Sequence, residues 1–175
     1  HGWLLFEKGI LEMGKFVSIL LLSLMSTSSF AGTTIFGMEL GELSTDQLKK
    51  MFPATYIGVN RFTEGKMYSI PVKSVGVSGL KRLKTVFNKD RKLVGVLAVM
   101  PKSRFNQITQ ELNSQYKMVR QNIPYVGRRD VKFVDGPTEI LLEAPSTSSE
   151  MSVNYILKKE VLFTSIEAML LLKLS

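Results

Sequence analysis

The chain contains no cysteine, and its single histidine and single tryptophan, His1 and Trp3, stand at the very start. Disulfide staples, thiol nucleophiles and cysteine zinc sites are therefore excluded. If the first residues are removed, imidazole acid–base catalysis, Ser-His-Asp triads and histidine metal sites go with them. No P-loop, no G-x-G-x-x-G and no D-x-[DN]-x-[DN]-G calcium loop occurs. Two S-x-x-K matches occur, Ser78–Lys81 and Ser114–Lys117, but neither of the partner elements that a Ser–Lys acyl enzyme needs, S-D-N or K-T-G, is present. Glu139 and Glu143 lie at opposite ends of one short expected strand, about 13 Å apart at strand rise. They read as solvated surface charges rather than a glycosidase pair. These absences lead to the expectation of a protein that is not an enzyme and has no cofactor or metal.

What is present begins with Met13–Ala31. Lys15 gives a positive start, Phe16–Met25 is apolar apart from Ser18 and Ser23, and Ser29-Phe30-Ala31 offers small residues for a cut before Gly32. This three-part layout predicts a secretory signal peptide over 13–31. The apolar run is shorter than the roughly 20 residues that a membrane-spanning helix needs. No cysteine follows it to carry a lipid anchor. Lys8-Gly9 would be encoded by AAR-GGN, the core of a bacterial ribosome-binding site, just before Met13. Residues 1–12 are therefore expected to be a translated leader. The expected mature unit is one domain over 32–175, exported to the periplasm or secreted. Losing 1–31 removes Lys8, Lys15, Glu7 and Glu12, so the net charge of +8 is unchanged.

Along this unit, Thr33–Leu40 reads as extended with a joint at Gly37. Ser44 and Gln47 have capping-box spacing and Leu43 and Leu48 form a hydrophobic staple, so a helix starts here and stops before Pro53. Tyr56–Phe62 and Lys66–Val72 read as strands about a Glu64-Gly65 turn, and Pro71 suggests an edge or a bulge. Gly76 and Gly79 bound a further short extended piece. Leu83–Phe87 alternates, Asn88–Lys92 is a polar turn, and Leu93–Met100 is apolar on both faces. Strict alternation puts Leu93, Leu97 and Val99 on one face and Val94, Val96, Ala98 and Met100 on the other. Such a strand belongs in the middle of a covered sheet. Ser103 is expected to cap a second helix with the stripe Phe105, Ile108, Leu112, Tyr116 and Val119. Arg129–Asp135 and Thr138–Ala144 form a hairpin. Met151–Leu157 is a half-buried strand with Ser152 and Asn154 outward, and Glu160–Leu174 reads as a final helix. The pattern predicts an α+β fold: an antiparallel sheet of about six to eight strands with two or three helices packed on it, in helix-then-meander units.

Phe36-Gly37, Leu40-Gly41 with the capped helix, the Phe87-Asn88-Lys89-Asp90 turn and Lys92-Leu93-Val94-Gly95-Val96 resemble segments of small exported bacterial proteins of unknown function. The helix-then-meander layout is similar to the fold shared by β-lactamase inhibitor proteins and the outer-membrane assembly lipoproteins. The resemblance covers Ile35–Lys117 and implies a binding role without catalytic residues. The missing anchor cysteine departs from the lipoproteins.

The positive charge supplies the candidate binding residues: Lys81, Arg82 and Lys84; Lys89, Arg91 and Lys92; Arg128, Arg129 and Lys132. Gathered at one rim, they would face an anionic partner such as phospholipid headgroups, lipopolysaccharide, cell-wall polymer or an acidic protein. The plain alternative is a solvated basic surface. Nucleic acid is disfavoured, since no binding motif occurs and export removes the usual target. The leading expectation is an exported non-catalytic binding or envelope-accessory domain. An inhibitor or immunity-type protein that blocks a partner enzyme comes second. A secreted enzyme using only Lys, Tyr, Ser or carboxylates comes third. A flat basic rim would favour the first, an exposed loop with aromatic anchors the second, and a concave pocket the third.

Overall fold

The computed structural model describes residues 32–158. The expected leader, signal peptide and final helix lie outside the described residues. Within them the fold is α+β and dominated by antiparallel sheet. Strands β1 (Thr34–Ile35) and β2 (Met38–Glu39) form a small hairpin. Its turn residues Phe36 and Gly37 both have positive φ, 52° and 80°, as a two-residue turn compatible with strand twist requires. Helix α1 (Thr45–Met51) starts with both halves of the expected capping box. Gln47 N–H donates to Ser44 Oγ at 3.2 Å, and Ser44 N–H donates to Gln47 Oε1 at 2.8 Å.

Strands β3 (Thr55–Val59), β4 (Glu64–Ile70), β5 (Arg82–Asn88) and β6 (Leu93–Pro101) follow. Helix α2 (Phe105–Gln115) precedes β7 (Lys117–Asn122), β8 (Arg129–Asp135), β9 (Thr138–Ala144) and β10 (Glu150–Leu157). The eight strands form one sheet in the order β3-β4-β5-β6-β10-β9-β8-β7. Each helix thus opens a four-stranded meander, and the two meanders join in the centre where β6 pairs with β10.

One face of the sheet carries the main core, including Leu48 of α1, Phe105 and Leu112 of α2, and Phe87, Val96, Phe133 and Ile140. The opposite face has its own buried cluster of Met67, Val86, Val94, Leu141 and Ile156. The central strands are therefore covered on both sides, as the doubly apolar Leu93–Met100 run implies.

Several local expectations are corrected. The strand alternation is broken by a bulge: Val86 pairs with Gly95 but Phe87 with Leu93. Val94 is the extra residue, so Leu93 joins Val96, Ala98 and Met100 in the main core while Val94 points to the other face. Ser152 and Asn154 are buried rather than outward. The β3–β4 turn falls at Asn60–Thr63, because Asn60 Oδ1 accepts from the Phe62 and Thr63 N–H groups at 3.0 Å each. Gly65 sits inside β4, where a Cβ would come within 2.0 Å of the Phe87 carbonyl oxygen. Pro71 lies just past β4 and leads into a 3₁₀ turn, Val72–Ser74, rather than marking an edge or bulge. No strand forms between Gly76 and Gly79. Ser103 lies in a 3₁₀ turn, Lys102–Arg104, and α2 begins without a side-chain cap. The helix ends at Tyr116, so Val119 sits on β7 and is exposed.

Candidate functional site

The register places the basic residues at two ends of the sheet. Lys89, Arg91 and Lys92 form the β5–β6 turn, whereas Lys81, Arg82, Arg128 and Arg129 lie at the opposite strand ends. The length of β5 separates these ends by about 20 Å. Lys84 and Lys132 lie along β5 and β8, on the face opposite the main core. The nine residues therefore do not share one rim.

Most of them are also neutralised. Glu150 receives Lys81 at 3.4 Å and, at closer range, Arg82. The hydrogen bond from Arg82 holds the Glu150 carboxyl below its usual pKa, opposed by a desolvation contribution and helped by the charges of Arg82 and Lys81. Arg91 reaches Asp46 at 3.9 Å, a pair about 70% exposed on both sides. Lys92 Nζ donates to the Glu42 carbonyl at 3.0 Å. The Arg129 guanidinium lies 4.4 Å from the centre of the Phe105 ring. Arg128 pairs with Glu143, and Lys132 Nζ stands 2.8 Å from Glu139 Oε1, which Lys158 Nζ also meets at 2.8 Å. Lys84 and Lys89 have no ion pair among the described residues.

Glu139 and Glu143 are not solvated surface charges: they are 3% and 5% exposed. They belong to a layer of ion pairs across β7–β9, completed by Asp130 with Arg120 at 3.0 Å and Asn122 at 3.3 Å. Each carboxylate faces a cation, so the layer reads as charge compensation within the sheet rather than as an acid–base pair. The two S-x-x-K matches are likewise not assembled as catalytic pairs. Ser114 Oγ donates back to the Glu111 carbonyl at 2.7 Å, and Lys81 is held on Glu150. Among the described residues no group of His, Cys, Asp and Glu side chains could hold a metal ion. No described helix is long and apolar enough to cross a membrane.

One surface that charge and motif reasoning passed over stands out. The loop between β7 and β8 carries Ile123, Pro124, Tyr125 and Val126, and Tyr125 is fully exposed while Val126 is 80% exposed. The loop grows from two strands tied by the Arg120–Asp130 pair and from Arg128 on Glu143. A run of apolar and aromatic residues between Asn122 and Gly127, with no strand partner of its own, was the available signal in the sequence. No family model matches the chain, and no curated protein or solved structure matches it either.

Proposed function

We propose that this is an exported, non-catalytic binding domain that engages a protein partner through the β7–β8 loop, in the manner of an inhibitor or immunity-type protein. The observation that carries this reading is the apolar tip Ile123–Val126. Its tyrosine is fully in solvent, and the exposed side chains of Arg120 and Arg128 flank it. Tyrosine and arginine beside aliphatic groups are the side chains that dominate binding energy at interfaces, and the flanking ion pairs limit the ordering cost that a mobile loop would incur. Export rests on the signal-peptide layout of 13–31, and the cut after Ala31 is read by N-terminal sequencing of the protein from an envelope fraction.

The second reading, an envelope-accessory domain that meets an anionic surface, is favoured by the charge of +8 and by Lys84 and Lys89. One set of variants separates the two. Tyr125→Ser should weaken retention of envelope partners by about 30-fold, the effect of losing a hot spot of about 2 kcal/mol, with the melting temperature unchanged. The combined Lys89→Glu, Arg91→Glu and Lys92→Glu variant should change retention less than about threefold. The opposite ranking, with binding lost on charge reversal and on added salt, establishes the envelope reading instead.

A further inference from the structure

A half-open cavity of about 240 Å³ lies between α2, the β1–β2 hairpin and the centre of the sheet. Met100 and Val153 of the paired central strands form its floor, and Ile108 and Leu112 of α2 line one wall. These four side chains are apolar. Polar groups come from Thr34, Arg104, Glu111, Gln115, Tyr116 and Tyr155. Neither phenol has a hydrogen-bond partner among the described residues. Burial raises the pKa of both phenols; Tyr116 and, after it, Glu111 push Tyr155 further up, whereas Asp135 does so for Tyr116.

Arg104, the cation among the described lining residues, makes hydrogen bonds to neutral acceptors. Its guanidinium donates to the Ser78 carbonyl and, through Nε at 3.3 Å, to Gln107 Oε1. A Cβ on Gly79 would stand 2.7 Å from its Nη1, so glycine at that position leaves room for the seat. Gln107 in turn donates to Glu111 Oε1 at 2.9 Å. The second carboxylate oxygen of Glu111 accepts no hydrogen bond among the described residues. The mouth of the cavity thus carries the Arg104 cation and, in Glu111, a carboxylate with one oxygen unengaged among the described residues.

The third aromatic ring is Phe36. It occupies the left-handed region at φ 52°, which costs an ordinary side chain about 1–2 kcal/mol and which a turn of this kind would fill more comfortably with asparagine. Backbone strain at bulky residues concentrates where ligands are clamped.

From this geometry we infer that the cavity binds a small organic ammonium with a compact apolar body. The body would rest on Met100, Val153, Ile108 and Leu112. The ammonium would face Glu111 and the ring faces of Tyr116, Tyr155 and Phe36, which attract cations through their quadrupoles. The volume lies below the roughly 300–1,000 Å³ of sites for drug-sized ligands, so a single ring with a short amine arm is the scale that fits. This site is separate from the β7–β8 loop and does not depend on its role.

The test uses the full chain titrated by NMR with phenethylammonium, its neutral isostere 2-phenylethanol, and the anion phenylacetate. Phenethylammonium should bind about tenfold more tightly than the alcohol, and phenylacetate more weakly than either. Glu111→Gln should erase the preference for the ammonium over the alcohol. Glu111 is exposed, so this variant keeps its fold. Phe36→Asn suits the turn and should weaken both ligands alike. Absence of saturable phenethylammonium binding up to about 10 mM, equal or tighter binding of phenylacetate, or a Glu111→Gln variant that keeps the ammonium preference would each overturn the assignment.

Discussion

Replacing Glu139 with glutamine keeps the shape of the side chain and removes its charge. Strand alternation alone reads Glu139 as a surface residue, for which the change should stay within about 0.5 kcal/mol. The structure gives another answer. The carboxylate is 4% accessible and receives Lys132 and Lys158 at 2.8 Å each on the same oxygen. Lys132 is only 17% accessible, so the substitution takes a carboxylate away from a largely buried ammonium. Breaking one side of a buried pair costs about 3–5 kcal/mol. The Lys158 contact, on a side chain 64% exposed, contributes at most about 1 kcal/mol. The low end of the buried-pair range is the better estimate, because the amide oxygen of the new glutamine can still accept a hydrogen bond. Glu139→Gln should therefore lower stability by about 3 kcal/mol, or on the order of 10 °C in melting temperature for a chain of this size. The assay is urea unfolding with the slope held equal to that of the parent. Two comparisons sharpen it. Arg91→Gln breaks the exposed pair with Asp46 and should cost less than about 0.5 kcal/mol. Replacing the pair together, Glu139→Leu with Lys132→Met, should recover most of the loss, because an apolar pair has no charge to desolvate. A Glu139→Gln variant as stable as the parent would refute the buried ion-pair layer and restore the surface reading.

Val96→Asp puts a carboxylate on a fully buried residue that pairs with Thr85 and Tyr155. The lost burial and the unpaired charge together exceed several kcal/mol, so circular dichroism should show an unfolded chain, whereas Glu111→Ala, an exposed residue at the cavity mouth, should stay within about 0.5 kcal/mol. Glu150 supplies a pH signature. Its folded pKa is depressed from 4.5, first by the Arg82 hydrogen bond, so its contribution to stability is complete above about 4.5 and is lost as pH falls through the lower folded value. Denaturant titrations between about pH 5 and pH 3 should show a shallower decline for Glu150→Gln than for the parent; identical slopes would remove the Arg82 pair from the account.

Local signals were legible and long-range ones were not. The start of α1 could be read because Ser44 and Gln47 satisfy each other's backbone groups within four residues. The β8–β9 hairpin could be read because two alternating runs meet at Gly136-Pro137. Strand β7 was hidden: it is an edge strand whose residues are mostly exposed, and Val119 happens to continue the spacing of the α2 stripe. The compensation of Glu139 and Glu143 was hidden for a different reason. Their cations stand on β8, just ahead of it, or just after β10, and nothing in a strand's own alternation says whether its far face is covered. The same blindness inflated the basic rim, since formal charge counts Arg82, Arg128 and Lys132 as available while the fold gives each a carboxylate.

That asymmetry also decides where function should be sought. A charged residue on a strand face acquires partners from strands distant in sequence, so its formal charge is a poor guide to what it offers a ligand. A loop tip has no strand beyond it to supply such partners, and the exposure of Tyr125 and Val126 follows from that position. The cavity carries the opposite lesson. Its lining comes from Phe36, Met100, Glu111 and Tyr155, residues that no sequence window joins, and it exists only because two helix-led meanders close on each other through β6 and β10. The loop lies at the edge of the sheet and the cavity at its centre, so substitutions at Tyr125 and at Glu111 should act independently of each other.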